Sequence, residues 1–162
     1  MQQEEWTGLL DRLGGYLRGQ GLRLVTAESC TGGWIAKVCT DLAGSSDWFE
    51  CGFVSYSNTA KQDMLEVSAE TLTLHGAVSE AVAAEMVRGA IANSQADVAV
   101  AVTGIAGPGG GSAEKPVGTV CFGWIVPAYG AQTETCHFAG DRDAVRRQTV
   151  EHALRGLLQR LE

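Results

Sequence analysis

The 162 residues of this chain are 45% hydrophobic and 19% charged, a composition typical of a globular domain that can bury its own core. Twelve basic and nineteen acidic residues leave a net charge of −7, which disfavours nucleic-acid binding because that function needs a basic surface. No apolar run approaches the roughly 20 residues of a membrane-spanning helix, and the polar, acidic N-terminus is unlike a signal peptide. We therefore expect one domain over residues 1–162, in the cytoplasm, with neither a nucleic-acid nor a membrane partner.

The cysteines carry no recognisable local pattern. There are five of them, an odd number, and no two form a C-x-x-C pair. Their arrangement argues against a disulfide framework and against a zinc site.

Apolar periodicity and turn residues divide the chain into alternating helices and strands. The predicted helices cover residues 4–19, 31–41, 59–74 (as one or two short helices), a segment capped by Ser79 that ends near Asn93, and 141–161. The predicted strands cover residues 22–27, 49–57, 97–103, 117–126 and 132–138, with a Gly/Pro loop over 104–116. This alternation, with the last two strands as a hairpin, predicts an α/β fold: a three-layer α/β/α sandwich around a mixed β-sheet.

Ligands of such sheets lie beyond the carboxyl ends of strands, which directs attention first to the turn after Ala27. A strand that enters a helix through the small residues of this turn exposes Ser29, together with unpaired backbone amides, above the sheet. Ser29 is therefore a candidate nucleophile with an oxyanion hole beside it. The alternative is that Ser29 or Thr31 only caps the helix. Cys30 is a rival nucleophile, although no histidine lies beside the glycine turn to activate it, and packing is its other interpretation.

Tyr56 lies near the end of the second predicted strand, and Lys61 comes just after it. A desolvated lysine can act as the general base for a serine, and a tyrosine can relay a proton or donate to an oxyanion. The alternative is a rim tyrosine and a solvated lysine, the usual environment of both residue types. No G-x-G-x-x-G follows the first strand, so a dehydrogenase of the Tyr-x-x-x-Lys type is disfavoured.

Two further segments offer anion-binding groups. The glycine-rich loop that begins near Thr103 can present backbone amides to a phosphate or carboxylate, or it can be a surface loop. Arg142 and Arg146 lie four residues apart on one face of the last helix, where two guanidinium groups suit a phosphate. The alternative is a solvated face on which Asp143 and Glu151 pair with the arginines.

Taken together and in this order, six segments of the chain resemble the nicotinamide-nucleotide amidase family, known also as the CinA C-terminal domain. The matching segments are 26–33, 52–58 with Lys61, 75–79, 103–108 with Gly110, 115–120 and 140–146. The resemblance covers nearly the whole chain and is closest to the stand-alone form of the family, without an additional N-terminal domain. It implies hydrolysis of nicotinamide mononucleotide (NMN) to nicotinate mononucleotide and ammonia, in pyridine-nucleotide recycling, with no metal and no organic cofactor.

By motif position, the resemblance makes Ser29 the nucleophile, Lys61 its base and Tyr56 an assisting acid or base. The resemblance also implies four substrate-binding residues. Thr31 and Gly32 would lie near the reacting carbonyl, and Thr103 and Gly104 would line the pocket. Remote contacts to the 5′-phosphate can orient the amide, a role that suits the paired arginines of the last helix, Arg142 and Arg146.

Two other functions remain open at this point. One is a serine–lysine hydrolase of the same design that acts on another amide or ester, and the other is a nucleotide-binding module without catalysis. We also expect a homo-oligomer, a dimer, because closed dimers are the commonest assembly. The candidate interface anchors are Trp6, Trp34, Trp48 and Trp124, with core packing as their alternative.

Overall fold

Helices and strands alternate through the part of the chain that the computed structural model describes, residues 2–162 with side chains from Trp6 onward. The helices are α1 (Gln2–Gln20), α2 (Trp34–Asp41), α3 (Asn58–Leu65), α4 (Ala69–His75), α5 (Glu80–Ala92) and α6 (Arg142–Leu161). The strands are β1 (Leu24–Glu28), β2 (Phe49–Val54), β3 (Val98–Gly104), β4 (Thr119–Ile125) and β5 (Gln132–His137). A short 3₁₀ helix, Ser45–Asp47, precedes β2 and was not predicted.

The strands form one mixed sheet in the order β2-β1-β3-β4-β5. Strand β1 pairs in parallel with β2 and β3, while β4 pairs antiparallel with both β3 and β5. The mixed sheet and the β4–β5 hairpin are therefore confirmed. Because the three parallel strands run the same way, the residues that follow β1, β2 and β3 lie at one edge of the sheet.

Two apolar layers enclose the sheet, as the three-layer prediction requires. Residues of α1, α2 and α6 pack on one face; among them are Leu13, Leu17, Ile35, Leu154 and Leu157. Residues of α3, α4 and α5 pack on the other; among them are Leu65, Leu72, Val82 and Met86. Strand β3 supplies both layers, since Val100 belongs to the first and Ala101 to the second. This two-sided burial explains why β3 reads as a continuous apolar run.

Several local predictions can be compared with the structure. The segment predicted as one or two short helices forms two, α3 and α4, and Ser79 and Asp141 accept hydrogen bonds as helix caps, from Val82 N and Ala144 N. The prediction that the second helix begins near residue 31 is wrong. Residues 31–33 form a turn because Gly32 and Gly33 have φ angles of 61° and 106°, in the left-handed region.

The tryptophans are mostly core residues. Trp6, Trp48 and Trp124 are buried, and Trp34 is half-buried against the first apolar layer. Three of the four proposed interface anchors thus belong to the interior, and the dimer stays a prediction. No helix among the described residues is long and apolar enough to cross a membrane.

Candidate active site

The loop after β1 lies where the carboxyl ends of β1, β2 and β3 meet. The Ser29 amide donates to the Val102 carbonyl oxygen of β3 at 3.1 Å, and the Ser55 amide, just after β2, donates to the Glu28 carbonyl oxygen at 2.8 Å. These two bonds join the residue after β1 to β3, and the residue after β2 to β1. They bring the segment of Ser29 next to the segment of Tyr56 and Lys61, as both site predictions require.

Lys61 is the side chain that faces Ser29. Its Nζ lies 3.0 Å from Ser29 Oγ, 2.9 Å from the Ser55 carbonyl oxygen and 3.3 Å from the Tyr56 carbonyl oxygen. Helix α3 aims it inward, and the Ser57 side chain caps that helix by accepting from the Ala60 amide at 3.0 Å. Lys61 is only 1% exposed and is one of the largest fully buried side chains, so the interpretation as a solvated lysine is wrong.

Burial lowers the pKa of Lys61 from its ordinary value, because the ammonium loses hydration in this position. Its three close oxygens belong to a hydroxyl and two carbonyls, and no carboxylate of the described residues forms an ion pair with it. With three N–H groups, the ammonium can donate to all three oxygens, so Lys61 must lose a proton before it can accept that of the Ser29 hydroxyl. The lowered pKa makes this loss easier than for an exposed lysine.

Glu28 caps helix α2, a role that the sequence interpretation had offered to Ser29 or Thr31. Its carboxylate, 1% exposed, accepts from the amides of Ile35 and Ala36, both at 2.9 Å, and of Gly33 at 3.2 Å. The Thr31 hydroxyl donates to the same carboxylate. The helix-capping interpretation of Ser29 and Thr31 is therefore wrong, and the Ser29 hydroxyl remains directed at Lys61.

The Cys30 side chain points into the apolar layer. It is 5% exposed, and burial raises the pKa of its thiol to about 12. A thiol in this environment stays protonated at neutral pH and is a poor nucleophile. The structure thus favours packing over catalysis for Cys30.

Tyr56 and Arg142 bond to each other at the rim of the site. Arg142 Nη2 donates to the Tyr56 hydroxyl at 3.0 Å, and Nη1 donates to the Gly107 carbonyl oxygen at 2.7 Å. Tyr56 is 59% exposed, and the hydroxyl is engaged with Arg142, whereas its carbonyl oxygen accepts from Lys61. Tyr56 therefore reaches the Ser29–Lys61 pair through its backbone in this structure.

Arg146 fastens helix α6 to the loop that carries Ser29. Its Nε donates to the Cys30 carbonyl oxygen and its Nη2 to the Thr31 carbonyl oxygen, both at 3.1 Å, while the guanidinium lies 5.5 Å from the centroid of the Trp34 ring. The solvated-face interpretation of the two arginines is wrong. Asp143 and Glu151 pair instead with other arginines of α6, Arg147 and Arg155.

An open pocket of about 430 Å³ lies beside this loop. The lining residues are Thr31, Gly32, Gly33, Trp34, Lys37 and Arg146. Two cations therefore face the pocket, although Lys37 also pairs with Asp41 at 2.9 Å. Lys37 and Trp34 were missed in the sequence, where their place in the first turn of a helix after a glycine turn was the available signal.

The remaining predicted pocket residues lie at the end of β3. Thr103 is buried, and its hydroxyl donates to the Ala77 carbonyl oxygen at 2.9 Å. At Gly104, a Cβ atom would lie 2.7 Å from Val120 Cγ2 and 3.2 Å from Cys30 Sγ. Both residues thus lie at the edge of the sheet that holds Ser29, but neither is among the residues that line the open pocket.

The chain is similar to known proteins over nearly its whole length. The family model of the CinA C-terminal domain matches residues 7–161. The chain is 54% identical to nicotinamide-nucleotide amidohydrolase PncC of Escherichia coli K12 over 159 residues, which is 98% of this chain and 96% of that protein. It is 53% identical to the protein of that name from Pseudomonas putida over 155 residues, 94% of this chain and 95% of the other.

A solved structure agrees with the fold. The crystal structure of competence/damage inducible protein CihA from Agrobacterium tumefaciens superposes with a TM-score of 0.92 at 46% identity, and the match covers 98% of this chain and 95% of that one. The match therefore spans the sheet and both helical layers. The chain belongs to the CinA C-terminal domain family.

Proposed function

We propose that this protein hydrolyses the carboxamide of NMN to give nicotinate mononucleotide and ammonia, with Ser29 as nucleophile and Lys61 as general base. The observation that carries the proposal is the 3.0 Å contact between Lys61 Nζ and Ser29 Oγ at the carboxyl edge of the sheet. The amidohydrolases that share 53–54% identity with the chain support the substrate.

The first half of the reaction acylates the serine. Neutral Lys61 takes the proton of the Ser29 hydroxyl as Oγ attacks the carboxamide carbon, whose electrophilicity the pyridinium ring increases. The tetrahedral intermediate carries its negative charge on the former carbonyl oxygen. As the C–N bond breaks, the Lys61 ammonium returns that proton to the leaving nitrogen, which departs as ammonia and leaves a nicotinoyl ester on Ser29.

The second half uses water. Lys61 takes a proton from the attacking water, whose oxygen bonds to the ester carbon. The intermediate then collapses, Ser29 Oγ leaves and recovers that proton from Lys61, and the carboxylic acid product releases its remaining proton to solvent and departs as a carboxylate. Each proton that Lys61 accepts is returned within the same half-reaction, so the lysine ends the cycle neutral.

The developing oxyanion requires hydrogen-bond donors near Ser29. In the described part of the chain, the amides of Cys30 and Thr31 donate to no backbone carbonyl, whereas the Gly32 amide already donates to the Ser29 carbonyl oxygen at 3.0 Å. We assign the oxyanion contacts to the Cys30 and Thr31 amides. Arg146 supports them, because it holds the carbonyl oxygens of both residues.

The phosphate of NMN fits the open pocket beside the loop. Arg146 and Lys37 face that pocket, and their charges match a phosphate dianion. In this arrangement Arg142 keeps its contacts to Tyr56 and Gly107 and orders the rim. The remote phosphate contacts then position the amide over Ser29.

Product analysis tests the proposal. Purified protein is incubated with NMN, ammonia is measured in a coupled assay, and nicotinate mononucleotide is identified by chromatography and mass. We expect equal amounts of both products from the wild-type protein and none from Ser29→Ala. Turnover of other amides with no turnover of NMN would refute the substrate, and binding of NMN without ammonia release would refute catalysis.

A further inference from the structure

Three metal-binding side chains meet on the face of the sheet that α6 covers. They are Glu134 and Cys136 of strand β5 and His152 of helix α6, all half-buried. One donor atom of each, Glu134 Oε1, Cys136 Sγ and His152 Nε2, lies within 4.8 Å of the other two. We propose that these three side chains bind a single zinc-type divalent cation, whose fourth ligand is a water molecule.

The spacing of the donors matches a tetrahedral ion. Cys136 Sγ lies 3.4 Å from His152 Nε2 and 3.6 Å from Glu134 Oε1. Bonds of about 2.3 Å to sulfur and about 2.0–2.1 Å to nitrogen or oxygen, at the tetrahedral angle, place such donor pairs about 3.5 Å apart. His152 Nε2 and Glu134 Oε1 contact each other directly, so that pair has to move apart to the spacing of about 3.3 Å that the ion requires.

The secondary structure brings the donors together. Residues two apart in a strand face the same side, so Glu134 and Cys136 both point towards α6. His152 is held by aromatic rings, with centroids 4.7 Å from Phe122 and 6.0 Å from Phe138. A ligand that is already ordered loses little freedom when it binds an ion.

The neighbouring cation Arg160 makes its hydrogen bonds with other groups. It lies over the Trp124 ring at 3.8 Å, and its Nε and Nη1 donate to Gln132 and to the Gly156 carbonyl oxygen. Glu134 Oε1 makes its close contacts with His152 and Cys136. The donor set of one thiolate, one imidazole and one carboxylate suits zinc better than magnesium or calcium, which take oxygen ligands.

This site is separate from the proposed catalytic residues. Strand β5 is divided from β1 by β3 and β4, about 14 Å at the usual strand spacing. A bound ion would instead clamp the edge strand β5 to helix α6, and on binding the Cys136 thiol releases its proton to solvent. The inference does not depend on the proposed amidase activity.

Cobalt(II) spectroscopy of the metal-stripped protein tests the assignment. A thiolate–cobalt charge-transfer band should grow to one equivalent of cobalt per chain and be displaced by zinc. Cys136→Ser should abolish the band. His152→Gln should weaken cobalt binding at least about tenfold, because mutating even a residue that only hydrogen-bonds to a metal ligand typically lowers metal affinity about tenfold or more. Cys51→Ser, which alters another half-buried cysteine on an edge strand, should retain the band.

Thermal unfolding gives a second readout that does not depend on colour. Zinc should raise the Tm of the wild-type protein and of Cys51→Ser by several degrees, because it binds only the folded site. It should leave the Tm of Cys136→Ser unchanged. The assignment is overturned by a wild-type protein that shows no thiolate–cobalt band with excess cobalt, or by a Cys136→Ser variant that binds cobalt as tightly as the wild type.

Discussion

Lys61 Nζ and Ser29 Oγ, 32 residues apart in the chain, lie 3.0 Å from each other in the interior of the protein. The lysine is 1% exposed and the serine 8% exposed. A buried lysine without a carboxylate partner is costly to keep charged. Its place beside a hydroxyl at the carboxyl edge of the sheet is therefore better explained by proton transfer than by stability.

The first prediction compares two adjacent candidate nucleophiles. Ser29→Ala should lower kcat by about 10³-fold or more, as expected when a member of a catalytic unit is removed. Cys30→Ala should keep the rate within about tenfold, at a stability cost of about 1 kcal/mol for the lost packing. Steady-state ammonia release measures both. The opposite ranking of the two variants would assign the nucleophile to Cys30.

The second prediction concerns pH. Lys61 acts as a base only when neutral, and burial lowers its pKa from the ordinary value of 10.5. The neutral fraction grows as the pH rises through the lowered pKa, so kcat/KM should rise with pH and reach a plateau below the pH at which an exposed lysine titrates. A pH–rate profile between about pH 6 and 10 spans this change. Lys61→Met should abolish the rise along with the activity, and a rate that falls across this range would contradict the assignment.

The third prediction concerns the phosphate. NMN should have a kcat/KM at least about 100-fold above that of free nicotinamide, because the remote contacts contribute to the transition state. Arg146→Gln should lower the ratio of kcat/KM for NMN to kcat/KM for nicotinamide about tenfold. Arg155→Gln is the matched control, since Arg155 lies on the same helix and pairs with Glu151. If the two variants show the same NMN-to-nicotinamide ratio of kcat/KM, Arg146 does not bind the phosphate.

The fourth prediction concerns the cap of helix α2. Glu28→Gln replaces a carboxylate oxygen that accepts backbone amides with an NH₂ group that cannot accept. We expect the free energy of unfolding to fall by about 2–3 kcal/mol, with a loss of activity as the loop of Ser29 shifts. Urea unfolding measures it. Glu70→Gln, an exposed substitution in the first turn of α4, should cost less than about 0.5 kcal/mol, and equal costs would refute the cap.

The fifth prediction contrasts two helical glycines. At Gly89 of α5 a Cβ would lie 1.7 Å from the Leu65 carbonyl oxygen, so Gly89→Ala should destabilise the fold by several kcal/mol, on the order of 3. At Gly15 of α1 a Cβ meets nothing within 4 Å. Gly15→Ala should therefore stabilise the protein by up to about 1 kcal/mol, since alanine is the better helix former. Thermal and urea unfolding distinguish the two, and a tolerated Gly89→Ala would show that α5 can move away from Leu65.

Much of the architecture could be predicted from the sequence, because it depends on local periodicity. The alternation of helical and strand patterns predicted the three-layer sandwich and a strand over residues 97–103. The structure shows that strand as β3, buried on both faces. The start of α2 could not be predicted from the sequence. Both a helical start near residue 31 and a glycine turn satisfy the local pattern. The carboxylate of Glu28, held in place by the sheet, accepts the first amides of the helix and favours the turn, whose left-handed conformations Gly32 and Gly33 allow.

The sequence by itself determined that Ser29, Tyr56 and Lys61 stand where predicted strands end, because Ser29 follows the first predicted strand, Tyr56 lies near the end of the second and Lys61 comes just after it. The tertiary structure decided what each side chain does there. Burial by surrounding elements lowers the pKa of Lys61. The Lys61 side chain contacts Ser29, whereas the Tyr56 hydroxyl contacts Arg142 at the rim. It also brought Glu134, Cys136 and His152 together from a strand and a helix. Distances and hydration arise from packing between distant segments, and a pattern within one segment carries no information about them.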